Sequence, residues 1–122
     1  MKGIGADVVS VSRMRKSLAR TPGFASRVFT PAERAYCEAR RDPAAHFAAR
    51  FAAKEAFLKA LGLGLWDGVA LHDIEVRPGE RGAPGLWLGP TAAAALSRAR
   101  GQPPMLTLSH DGDVALAVVV VP

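Results

Sequence analysis

Three residues stand out by type and placement: Asp7, Glu55 and Lys59. Asp7 interrupts an alternating apolar run, a setting where aspartate is uncommon, and Glu55 and Lys59 lie one turn apart in an Ala-rich stretch. Two carboxylates and a lysine suffice for phosphate chemistry. Mg²⁺ prefers oxygen ligands and needs only one or two protein carboxylates, water and substrate phosphate completing its octahedron. A nearby lysine neutralises phosphate charge that the metal does not reach, and phosphoryl transfer asks the protein mainly for positioning and electrostatics. Each residue also has an ordinary reading. Asp7 could end a strand or cap a helix, and Glu55 with Lys59 could be a surface i, i+4 pair.

Other catalytic patterns are missing. There is no Cys/His cluster, Gly-x-Ser-x-Gly elbow, P-loop or Gly-x-Gly-x-x-Gly fingerprint. His46, His72 and His110 are far apart in the chain. The single cysteine, Cys37, excludes an internal disulfide and a Cys-based zinc site, and its surroundings predict a packed apolar side chain.

The element that must position Glu55 and Lys59 is a helix within Pro43 to Gly64, opened by proline and stopped by glycines. At about 100° per residue, Phe47, Phe51 and Leu58 share a narrow apolar stripe, with Glu55 at its edge and Lys59 a turn beyond. Arg50 and Lys54 line the other flank, so charge crowds the packed face rather than opposing it. Asp7 belongs to a strand over residues 3–9. Ser10 or Ser12 caps a basic helix running to Thr21-Pro22-Gly23, and Thr30-Pro31-Ala32-Glu33 is a capping box opening a helix that ends near Arg41-Asp42-Pro43. Period-two patterning predicts a strand over residues 69–76, a turn at Pro78–Gly82 and a return strand at Leu86–Leu88. A helix from Pro90 to Arg100 follows, then two buried strands, Met105–Ser109 and Val114–Val121, joined around Asp111-Gly112. The expectation is one α+β domain over residues 1–122, a mainly antiparallel sheet packed on one long central helix with shorter helices beside it.

The 122 residues carry a net charge of +5, which favours an acidic partner. Almost no acidic residue compensates Arg13, Arg15, Arg20 and Arg27, so the first helix is a candidate docking surface. No apolar run is long enough to span a bilayer, and the N-terminus has no signal-peptide core, which predicts a soluble cytoplasmic protein.

The block Arg50-Phe51-Ala52-Ala53-Lys54-Glu55-Ala56, continuing Phe57-Leu58-Lys59-Ala60-Leu61-Gly62, resembles the signature of the 4′-phosphopantetheinyl transferases, and within them the small holo-[acyl-carrier-protein] synthase group. Gly3-Ile4-Gly5-Ala6-Asp7-Val8-Val9, His72-Asp73-Ile74-Glu75-Val76 and Leu108-Ser109-His110-Asp111 agree with that group in order and spacing, so the likeness covers essentially the whole chain. It implies the family's fold and transfer of the phosphopantetheine arm of coenzyme A to a serine of apo acyl carrier protein, releasing 3′,5′-ADP, in fatty acid or polyketide synthesis. By resemblance Asp7 and Glu55 hold Mg²⁺ against the CoA diphosphate, Glu55 doubling as a candidate base. Lys59 contacts the same phosphates, and Arg50, Lys54, Ser109 and His110 fall in blocks placed around CoA. Arg13, Arg15, Arg20 and Arg27 match the region that docks the acidic carrier. The group's small members are homotrimers with interfacial sites, which implies Asp7 and Glu55 from one subunit and CoA or carrier contacts from a neighbour. Two departures are local: Leu63 stands where the family commonly has threonine, and Ser10 where it often has an acid.

Two other readings remain open at this stage. One is a non-enzymatic module that binds an acidic protein through the basic helix. The other is a nucleic-acid binder, suggested by charge alone and weakened by the few aromatic residues available for stacking.

Overall fold

In a computed structural model that describes residues 2–122, the first alternating run forms strand β1 (Gly3–Ser10). Ser10 ends it and caps helix α1 (Val11–Arg20), its side chain accepting from the Arg13 amide. A short helix α2 (Phe24–Val28) follows; five residues are too few for a periodic pattern, and the sequence did not announce it. Helix α3 (Pro31–Glu38) carries both bonds of the capping box, but it ends well before the expected Arg41-Asp42-Pro43 boundary. The central helix α4 is Pro43–Ala60. Gly62, at φ 71°, takes the left-handed turn that ends it, with the Leu63 amide donating to the Leu58 carbonyl and that of Gly62 to Lys59.

The strand expected from residue 69 begins only at Ile74, as β2 (Ile74–Pro78). Leu71–Asp73 is instead a single helical turn, because Asp73 serves another element. Its carboxylate accepts from the Thr91 amide (2.8 Å) and hydroxyl (2.6 Å), holding the start of the later helix. The remaining elements are β3 (Pro84–Leu88), α5 (Pro90–Arg98), β4 (Met105–Asp111) and β5 (Val114–Val121). All pairing is antiparallel, in a three-stranded sheet ordered β1-β5-β4 and a two-stranded sheet β2-β3.

Helix α4 lies across the β1-β5-β4 sheet and is buried nearly all round, rather than along the narrow Phe47–Phe51–Leu58 stripe. Small residues make this possible. Ala52, Ala53, Ala56 and Ala60 on α4 meet Ala115, Ala117, Val119 and Val121 on β5, all buried. The approach of β1 is closer still. A methyl group on Gly3 would collide with the Ala60 carbonyl, and one on Gly5 with the Ala56 carbonyl and the Ala60 nitrogen. These are backbone atoms of a regular helix and cannot move aside.

The other sheet face is open. Ile4 and Val8 are 59% and 60% exposed, and Met105 is 64% exposed, so β4 is less buried than its apolar sequence suggested. No helix among the described residues is long and apolar enough to cross a membrane.

Gly5→Ala is expected to cost about 3 kcal/mol or more in urea unfolding, because strand and helix must separate. Gly64→Ala, where the added methyl meets nothing closer than 3.6 Å, should stay within about 0.5 kcal/mol of the parent. Equal effects at the two positions would contradict the close approach.

Candidate active site

Asp7 lies in mid-strand, paired with Ala117, so it neither ends β1 nor caps α1. Directly paired residues share a sheet face, and Ala117 is fully buried against α4. Asp7 therefore points to the helix. Its side chain is 11% exposed and accepts from Lys59 Nζ at 2.9 Å; the same ammonium reaches the Ala6 carbonyl at 3.2 Å. Lys59 thus bridges helix to strand. That hydrogen bond, and then the Asp7 charge, hold its pKa above the ordinary lysine value.

Glu55, one turn before Lys59, is half-buried against Asp7. Burial first, then the neighbouring carboxylate, push its pKa up to about 7. Two carboxyl groups pressed together with one lysine bind a proton near neutrality, and a divalent cation in their place satisfies both. Among the described residues no group of three His, Cys, Asp or Glu converges on a metal position. The donor set is therefore two hard oxygens rather than a closed cage, which suits Mg²⁺ better than zinc.

Two hollows flank this pair. On the α1 side a groove of about 310 Å³ is lined by Asp7, Glu55, Arg13, Met14, Phe24 and Phe51 among others. On the other side a pocket of about 70 Å³ is formed by Glu55, Leu58, Lys59, Leu63, Gly64 and Leu65. Leu63 gives this pocket an apolar wall.

Arg50 and His110 are elsewhere. Arg50 and Glu55 are five residues apart, about 140° around the helix. His110 is on β4, separated from β1 by the whole of β5. With Ser109, Tyr36, His46, Pro78, Pro84 and Leu108 they line a cavity of about 220 Å³ that shares no residue with the hollows around Glu55. Within one chain the expected site residues therefore form two groups on different flanks of α4.

Lys54 belongs to neither, which corrects its expected place at CoA. Its side chain and that of Glu33 are fully buried, joined at 2.8 Å. Its ammonium also donates to the carbonyls of Leu71 and Ile74, which uses all three protons. Glu33 in turn accepts from the amides of Thr30 and Val76. The pair ties α3 and β2 to α4, and Lys54 has no donor left for a ligand. Of the arginines expected to dock a carrier, all four are exposed, and Arg15 is in addition paired with Asp42 at 2.9 Å.

The profile of the 4′-phosphopantetheinyl transferase superfamily matches residues 3–119. This chain belongs to that superfamily. It is 51% identical, over 97% of its length and 93% of the relative's, to the holo-[acyl-carrier-protein] synthase of Anaeromyxobacter dehalogenans (strain 2CP-C). The crystal structure of the synthase from Neisseria meningitidis superposes with a TM-score of 0.89 at 34% identity, covering 100% of this chain and 98% of that one. The Helicobacter pylori synthase in complex with coenzyme A gives 0.85 at 32%, covering 98% and 99%.

Sequence reasoning missed Met14, Phe24 and Phe51 as walls of the Glu55 groove, and Tyr36 and His46 as walls of the Arg50 cavity. Phe51 reads in the sequence as part of the packing stripe of α4, and Phe24 lies on the unannounced helix.

For a carboxyl raised on folding, the native state holds its proton above pH 4.5, and ionising it costs stability as pH rises through about 7. Glu55→Gln should therefore raise the melting temperature in EDTA at pH 8 by a few degrees and leave it nearly unchanged at pH 5. An equal loss at both pH values would contradict the carboxylate pairing.

Proposed function

We propose that this chain uses Mg²⁺ to transfer the 4′-phosphopantetheine arm of coenzyme A to a serine of apo acyl carrier protein, as one catalytic domain acting in the cytoplasm. The observation that carries this reading is the Asp7–Glu55 pair with Lys59 bridging to it. Asp7 and Glu55 would hold Mg²⁺, which when bound would polarise the CoA diphosphate and stabilise the leaving phosphate. The chain's own residues do the rest. Lys59, free to turn from Asp7 toward a richer anion, offsets charge on non-reacting phosphate oxygens. Glu55 accepts the proton of the attacking serine as its oxygen bonds to the β-phosphorus. The bond from that phosphorus to the oxygen shared with the α-phosphate breaks, and 3′,5′-ADP departs. The carrier serves fatty acid or polyketide synthesis.

The two substrates have separate surfaces. The groove through Met14, Phe24 and Phe51 runs from exposed Arg13 to Glu55, so an acidic carrier steered by Arg13, Arg20 and Arg27 delivers its serine there. The Arg50–His110 cavity, cationic with Pro78, Pro84 and Leu108 as apolar walls, takes the nucleotide end of CoA.

A homotrimer reconciles two cavities that do not touch in one chain. The open sheet face pairs Ile4 with Val120 and Val8 with Leu116, and Met105 lies across from Val120, making an apolar surface suited to neighbouring copies. Packing copies through it sets the Glu55 group of one against the Arg50 cavity of the next.

Intact mass of an apo acyl carrier protein should rise by one phosphopantetheine after incubation with the protein, CoA and Mg²⁺. EDTA should abolish the gain, and Asp7→Asn or Glu55→Gln should slow it by at least about 100-fold. A carrier that binds but never gains mass would instead favour the docking-module reading.

A further inference from the structure

His46 is a titratable side chain in the Arg50 cavity to which neither motif nor resemblance gave a role. It lies one turn before Arg50 on α4 and lines the same wall. Its ring meets Tyr36 at 6.0 Å and His110 at 5.8 Å between centroids, both edge-to-face. Tyr36 in turn carries the guanidinium groups of Arg40 and Arg50 over its ring, at 3.9 and 4.1 Å. Arg50 is only 4% exposed, and its Nε has no acceptor among the described residues. A buried cation with an unused donor, beside two imidazoles, is suited to receive an anion.

We propose that His46 is a further binding residue of this cavity, closing with Arg50 and His110 on a phosphate group of the nucleotide ligand. The proposal rests on the CoA reading above and adds a residue to it. The charged and titratable groups facing His46 are Arg50 and Arg40, the His110 imidazole, and Asp42 on the acidic side. Burial first, then the Arg50 charge, keeps the imidazole less basic than the ordinary 6.5. The ring is therefore harder to protonate than a free imidazole while no anion offsets these charges. A phosphate placed among the cations offsets them and makes the ring more basic, so the ligand enters together with a proton and binds more tightly as pH falls. Pro78, Pro84 and Leu108 supply apolar walls for the attached base.

The test is calorimetric titration of the intact protein with 3′,5′-ADP in buffers of low and high ionisation enthalpy. The wild type should take up more protons per ligand at pH 6.5 than His46→Gln, a difference that cancels the ligand's own ionisation. His46→Gln should bind about ten-fold more weakly at pH 6 and within about two-fold of wild type at pH 8.5. Equal uptake and equal affinity across pH overturn the proposal while leaving the CoA reading intact. Failure of wild type to bind 3′,5′-ADP defeats both. The His46 ring resonance gives a readout that needs no variant: its titration should move to higher pH on adding 3′,5′-ADP, and an unmoved titration overturns the proposal.

Discussion

The structure depends on how closely strand β1 lies against helix α4. Gly3 and Gly5 leave no side chain between the strand and the Ala56 and Ala60 carbonyls, and the alanines of α4 and β5 thin the rest of the contact. At that separation a side chain as short as aspartate reaches the helix. Asp7 is two residues after Gly5 on the same face of β1, so the spacing that removes bulk at 3 and 5 delivers a carboxylate at 7. One layer of packing thus creates both the core and the charge pair, and any side chain that lifted the strand would separate Asp7 from Glu55.

Helix α4 separates charges by angle. Arg50 and Lys54 occupy one face, Glu55 and Lys59 another, five residues and about 140° apart in each case. Lys54 and Lys59 are chemically the same and have opposite fates. Lys54 is enclosed, loses basicity to burial, and survives as an ion because Glu33 and two carbonyls compensate it. Lys59 is half-exposed, holds Asp7, and can exchange that partner for another anion. The first stabilises the scaffold, since loss of either buried partner leaves the other unpaired. The second stays available to chemistry.

Much of this was legible in the sequence because it is local. The capping box at Thr30 and Glu33, the proline that opens α4 and the glycine that closes it, the N-cap at Ser10 and the turn of the β4–β5 hairpin are each set by a few residues adjacent in the chain. The failures are tertiary. Glu33 read correctly as a capping residue, but its contact with Lys54 spans 21 positions and depends on how α3 packs on α4. Residues 71–73 have a strand's alternation, yet Asp73 is drawn into a turn by Thr91, 18 positions away. The candidate site shows the same division. Asp7, Glu55 and Lys59 were singled out by type and flanking pattern, and the structure brings them together. That Arg50 and His110 would lie on the far flank needed the strand order β1-β5-β4, which no local pattern states.

The central claim is that the Glu55 group and the Arg50 cavity, apart in one chain, form one site between neighbouring copies. Subunit mixing tests it most directly. Glu55→Gln and Arg50→Met proteins, each confirmed folded and inactive alone, are co-expressed and assayed for transfer to apo acyl carrier protein. Mixed oligomers should regain a substantial fraction of wild-type activity, because some interfaces then join an intact Glu55 group to an intact Arg50 cavity. Mixtures that form hetero-oligomers yet stay inactive would show that each chain needs both groups itself, and the interfacial account would be wrong.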